Sequence, residues 1–119
     1  MKKTILFFIS FNLLFFTACS CTVFKRPLDN NIQFSKQLTE TESYIRKGEW
    51  ENARNSLKNT QKTWKKIKPF LQIDIDHDYV NDIENNFTKL RAYLETKDKS
   101  NSYATIILIQ QLWHDIGQM

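Results

Sequence analysis

The sequence predicts an all-α fold, an antiparallel up-down bundle of about four helices behind an N-terminal signal or anchor segment. Three observations carry that expectation. Apolar residues recur at steps of three and four in successive segments, the period at which one face of a helix repeats. Two glycines and two prolines in 119 residues argue against a turn-rich β fold. The breaks between the periodic segments are short and polar, the connections that join antiparallel neighbours in a bundle.

The chain opens MKKTILFFISFNLLFFTACSC. Lys2 and Lys3 form a positive n-region, and Thr4 to Phe16 is apolar apart from Ser10 and Asn12. Small residues at Thr17 and Ala18 then precede Cys19, the layout of a secretory signal, which takes no part in the fold. FTAC followed by Ser20 resembles the lipobox of bacterial lipoproteins, with Phe16 where that family usually has Leu. The resemblance implies a signal peptide over 1–18, cleavage before Cys19, and a diacylglycerol on the Cys19 thiol. Cys21 fits this pattern less well, since Ala18 and Cys19 would stand where a branched apolar and a small residue belong. The alternative is an uncleaved anchor: Thr4 to Phe24 is close to the roughly 20 residues that span a bilayer core. Lys25 and Arg26 follow, so positive charge flanks both ends and orients the segment only weakly. Either outcome puts the remaining chain at the cytoplasmic membrane, facing outside the cytoplasm. With Cys19 acylated, Cys21 is a lone thiol and there is no disulfide framework.

The chain carries 17 basic and 13 acidic side chains, a net +4; without Lys2 and Lys3 the balance falls to 15 against 13, a net +2. Such a chain suffices for one domain. Residues 19–30 read as a tether, because CTVFKRPLDN has no sustained period and holds Pro27. Its ten residues reach about 35 Å at full stretch, and the helical domain fills 31–119.

Asn30 or Asn31 caps a first helix running to about Lys47, with Phe34, Leu38, Thr41 and Ile45 on one stripe. Gly48 suits the left-handed position that ends it. Glu49 opens a second helix, an acid at the positive end of the helix dipole. Trp50, Ala53, Leu57, Thr60, Trp64, Ile67 and Leu71 make its seam, and Arg54, Lys58, Lys62, Lys65 and Lys66 its other face. Pro69 is expected to kink or end this helix near Lys68. A third helix starts within DIDHD, with Asp74 or Asp76 as its cap, and runs to about Thr96 on Val80, Ile83, Phe87, Leu90 and Leu94. KDKSN, 97–101, is a connection offering Ser100 or the nearby Ser102 as a cap. A fourth helix, Tyr103 to Ile116, stops at Gly117. It is apolar almost all round, which implies a central position or an exposed binding patch.

GEWENARNSL resembles the turn and second helix of a tetratricopeptide repeat, but one period of about 34 residues later nothing similar stands at Asp82. A broader likeness covers nearly all of the chain after the signal. GEWENA, TQKTWKKIKPFL, IDHDYVNDIENNFTKLRAYLETKDK and LWHDI resemble the bacterial family called domain of unknown function 4363. Gly48, Trp50, Ala53, Trp64, Asp76, His77 and Leu90 carry the likeness. It implies a short, helical, membrane-anchored or secreted protein and no particular chemistry.

DIDHDYV, Asp74 to Val80, is the one stretch that suggests a site. Asp74, Asp76 and Asp78 match the first ligands of an EF-hand loop, but Tyr79 replaces its glycine and Asn85 its bidentate Glu. Asp74-x-x-His77 and Gln111-x-x-His114 echo the paired motifs of a di-metal bundle. Antiparallel packing would bring the two histidines within about two helical turns, leaving a metal-binding alternative on His77, His114 and a nearby Asp. No serine or cysteine has a base arrangement beside it, and two glycines cannot build a phosphate cradle. The lysine face is that of a solvated helix, with anionic headgroups as its functional alternative. Trp50 and Trp64 are packing anchors, and His77 is left beside the Trp64 seam, where it could bond the incoming loop.

The expectation is a lipid-anchored, extracytoplasmic, non-catalytic binding or accessory protein without a cofactor. Its partners are the membrane, through the Cys19 lipid or an uncleaved helix, and a protein. Nucleic acid is not expected outside the membrane.

Overall fold

The computed structural model describes residues 21–118. Among them the chain forms four helices and no strand: α1 Cys21–Lys47, α2 Trp50–Asp74, α3 His77–Glu95 and α4 Lys99–Ile116. Both α1 and α3 pack against α2 and α4. Cross-helix bonds fix the directions. Arg54 of α2 reaches the Leu94 carbonyl of α3, and Lys68, farther along α2, reaches Glu84, nearer the start of α3. Ser35 with Trp113, and Arg46 with Tyr103, set α1 against α4 in the same sense. The architecture is an up-down bundle around one core.

That core follows the apolar stripes. Phe34, Leu38, Thr41 and Ile45 of α1 are buried, as are Ala53, Leu57, Thr60, Trp64 and Ile67 of α2 and all five stripe residues of α3. Trp50 and Leu71, at the ends of the α2 seam, are only partly buried. Each helix gives one aromatic ring to a shared layer: Phe34, Trp64, Phe87 and Trp113. Ring centroids stand 4.8 Å apart for Phe34–Trp113, 5.5 Å for Phe34–Trp64 and 6.2 Å for Trp64–Phe87. Most of these pairs are edge-to-face, which sets a ring's positive rim on its neighbour's negative face. Deeper in the α1–α2 interface, the Thr41 and Ser56 hydroxyls share a 2.7 Å hydrogen bond. Thr41 and Thr60 also donate to carbonyls one turn back in their own helices, so these buried oxygens are satisfied.

Two expectations need correction, and two that stood as alternatives lose one of their branches. The stretch read as an irregular tether is helical, since α1 begins at Cys21 and carries Pro27. One missing hydrogen bond does not stop a helix whose next turns are packed. Ten helical residues rise about 15 Å, well short of an extended tether. Pro69 does not end α2, which continues to Asp74. Lys65 and Pro69 are both exposed, so the carbonyl freed by the ring faces water. Leu71 and Ile75 meanwhile pack on the core and hold the extra turns.

The fourth helix starts at Lys99, and its cap is Asp98, whose carboxylate accepts from the Asn101 N–H at 3.1 Å. Neither serine does this; Ser102 is buried with no partner for its hydroxyl. Asp98 wins because a carboxylate at a helix start meets both an orphan N–H and the positive end of the dipole. Finally, of the two positions expected for α4 the central one is not taken: like each helix of the bundle it has two main neighbours, and Ile107 and Leu108 stay exposed.

Candidate functional site

The topology gives the bundle two unlike ends. At the distal end, two hairpin turns carry the chain from α1 to α2 and from α3 to α4. Gly48, at φ 68°, donates to the Ile45 carbonyl at 3.1 Å, and Glu49 donates to Tyr44 at 2.9 Å. Lys97, at φ 53°, donates to Leu94 at 3.2 Å, and Asp98 donates to Tyr93 at 2.9 Å. Both pairs are the crossed bonds of a Schellman stop, with a left-handed residue in the middle. At the proximal end, α1 and α3 start, α2 and α4 finish, and the only hairpin among the described residues is Ile75–Asp76.

The proximal end is open. A cleft of about 620 Å³ runs between α1 and α4 to the last turn of α2, lined by Ser35, Leu38, Leu71, Ile75, Trp113 and His114 among others. Several of its polar groups are already engaged. The Trp113 indole N–H donates to Ser35 Oγ at 2.8 Å, and Gln110 donates to Glu42 Oε2 at 3.0 Å. Glu42 also pairs with Arg46 at 3.1 Å. Asn31, His114 and Gln118 line it as well, so the cleft presents both an apolar wall and polar side chains to an occupant.

Beside the aromatic layer, Glu84 accepts from Lys68 Nζ at 2.6 Å and from the Trp64 indole at 3.2 Å. The Lys68 ammonium holds the Glu84 carboxyl below its ordinary range, against partial burial, which pushes the other way. This is a structural pair: it satisfies the indole of a buried tryptophan and ties α2 to α3.

The residues singled out in the sequence do not converge. Gly48, Trp50 and Ala53 are distal; Gly48 makes the turn, and fully buried Ala53 sits one turn into α2. Trp64 belongs to the aromatic layer. Asp76 and His77 are proximal. Asp76 is the α3 cap, its carboxylate 3.4 Å from the Asp78 N–H. His77 does not lie against the Trp64 seam; it is the first residue of α3 and is exposed. His114 is also exposed, at the rim of the cleft. Among the described residues no three His, Cys, Asp or Glu side chains stand close enough to hold a metal ion. The Asp74 side chain, Cys19 and the signal 1–18 lie outside the described residues.

Three features escaped the sequence. Trp113 completes the aromatic layer, and its spacing from Ile106, Ile109 and Ile116 was the signal for it. Phe70 and Ile73, 59% and 80% exposed, fall just off the seam of Ile67 and Leu71. Arg54, counted with the lysine face, is drawn away from it by Glu51 at 2.7 Å and the Leu94 carbonyl at 3.5 Å. Lys58, Lys62, Lys65 and Lys66 remain exposed. No described helix is long and apolar enough to cross a membrane.

Residues 28–119 match the model of the family described as Domain of unknown function (DUF4363). No curated protein and no solved structure matches the chain.

Proposed function

The chain belongs to the DUF4363 family, and on that premise we propose that it is a lipid-anchored helical domain of the cell envelope that works by binding. It is held at the outer side of the cytoplasmic membrane and acts as an accessory or adapter protein for a protein partner. The observation that carries this reading is the FTAC run ending at Cys19, two residues before α1 opens. An acyl chain there would stand two residues before a helix that runs from Cys21 into the bundle, which keeps the domain close to the bilayer. The cleft and the exposed apolar side chains at the proximal end support a binding role.

Metabolic labelling of cells with a fatty acid tests the anchor. The label is expected on the wild-type chain and absent from Cys19→Ala; label that persists in Cys19→Ala overturns it. Crosslinking in intact cells, followed by identification of the captured proteins, tests the binding role. Recovery of the chain with no protein adduct at any crosslinker length counts against an adapter.

A further inference from the structure

The outer face of α2 changes character along its length. Lys58, Lys62, Lys65 and Lys66 are exposed, and steps of three and four carry the same face on to Pro69, Phe70 and Ile73. Between Asn52 and Ile73 α2 has six cations and no acid. Lys68 is engaged by Glu84 and Arg54 by Glu51, which leaves four free lysines leading to two exposed apolar side chains.

The position of that apolar tip in the fold says what it can meet. Phe34 and Trp64 share the aromatic layer, so the two helices can be measured from one level. Ile73 lies about 13 Å beyond the layer and Cys21 about 20 Å beyond it on the same side, at 1.5 Å rise per residue. The α2 tip therefore stops within roughly 6 Å of the level where α1 opens. The apolar stretch Thr4–Phe16 precedes that point in the chain. A bilayer holding this stretch or a Cys19 lipid would bring its headgroup layer within about 10 Å of Phe70 and nearer still to Ile73.

We propose that the proximal tip of α2 is a second membrane contact: Phe70 and Ile73 enter the headgroup layer of an anionic bilayer, and Lys62, Lys65 and Lys66 meet its phosphates. Aromatic and aliphatic side chains flanked by lysine are the composition of a helix that lies in a membrane interface. Asp74, which ends α2, and Asp76 and Asp78 are the acids nearest in the chain. Asp76 and Asp78 lie at the start of α3, where its dipole presents positive charge to them. The contact would fix the tilt of the bundle, leaving its distal turns and the α4 outer face turned to the envelope. It rests on the anchored reading for its orientation.

The test is amide hydrogen exchange on the full chain in phosphatidylglycerol–phosphatidylcholine vesicles, in phosphatidylcholine vesicles and in detergent micelles. Amides of Leu71 to Ile75, the end of a helix that frays readily, should exchange about tenfold more slowly in the anionic vesicles than in either other setting. The double variant Phe70→Ser/Ile73→Ser should return them to the micelle rate, with the α3 core amides unchanged as the control for folding. Equal exchange in all three settings overturns the proposal. So do equal protection in the two kinds of vesicle and protection that survives the double variant. The mass of the peptide bearing Cys19 reads the anchor separately, so anchor and tip contact can fail independently.

Discussion

The two ends of the bundle are closed by different means. The distal end is closed by backbone geometry, two Schellman turns whose left-handed residues, Gly48 and Lys97, let each helix stop and reverse within three residues. The proximal end has one reversal, through extended backbone at Ile75 with no left-handed residue, and relies on side chains, the ring layer of Phe34, Trp64, Phe87 and Trp113. Backbone closure leaves no large exposed apolar side chain in the turns themselves, and the clefts of about 460 Å³ beside them are rimmed by charged side chains. Side-chain closure leaves a cleft and an uncovered tip at Phe70 and Ile73. The end that folding leaves unfinished is the one free to bind.

That contrast can be broken most severely at the ring layer. Phe34 is fully buried against rings from all three other helices, and Phe34→Ala should destabilise the fold by about 3–5 kcal/mol. Urea unfolding measures this, and exchange should rise first at the proximal ends of α1 and α4. The distal turns answer to smaller changes. Gly48→Ala adds a methyl that meets nothing within 4 Å, so its whole effect is conformational, a loss of about 1 kcal/mol at φ 68°. Lys97→Gly is the mirror experiment and should raise stability by about 0.5–1 kcal/mol, because glycine accepts the φ of 53° without strain. If the two substitutions shift the urea midpoint in the same direction, the turns are not equivalent stops.

The smallest effect belongs to Glu84. Its carboxyl is held below the ordinary value of 4.5 by Lys68, so the folded state binds that proton less readily than the unfolded chain. Its contribution is present above the unfolded value and disappears as pH falls through the folded one. Because Glu84 is 39% exposed, solvent screens the pair and the contribution is modest. Stability curves of the wild type and Glu84→Gln should be separated at neutral pH and converge in acid. A separation that stays constant with pH would show that the Lys68 pair is not its source.

What the sequence made legible follows from geometry. A helix of 3.6 residues per turn forces its buried face into steps of three and four, so Phe34 to Ile45, Ala53 to Ile67 and Val80 to Leu94 could be read directly. The ends of the helices were less legible, because tertiary gain competes with local preference. Leu71 and Ile75 carry α2 past Pro69, and Lys97 occupies a conformation that composition reserves for glycine. The candidate site was hardest to see. Phe70 and Ile73 are ordinary apolar residues in the chain, and only the placement of α1 and α3 decides that nothing described covers them. His77, which looked like the centre of a site, became the exposed first residue of α3 once Asp76 took the cap.

The central claim is that the proximal end faces the membrane and the distal end faces away. A photo-activated crosslinking residue placed in intact cells at exposed Gln72, beside the α2 tip, or at exposed Ser100, on the distal side, tests it most directly. Gln72 should yield lipid adducts and Ser100 none. Lipid adducts at Ser100 without any at Gln72 would contradict the account.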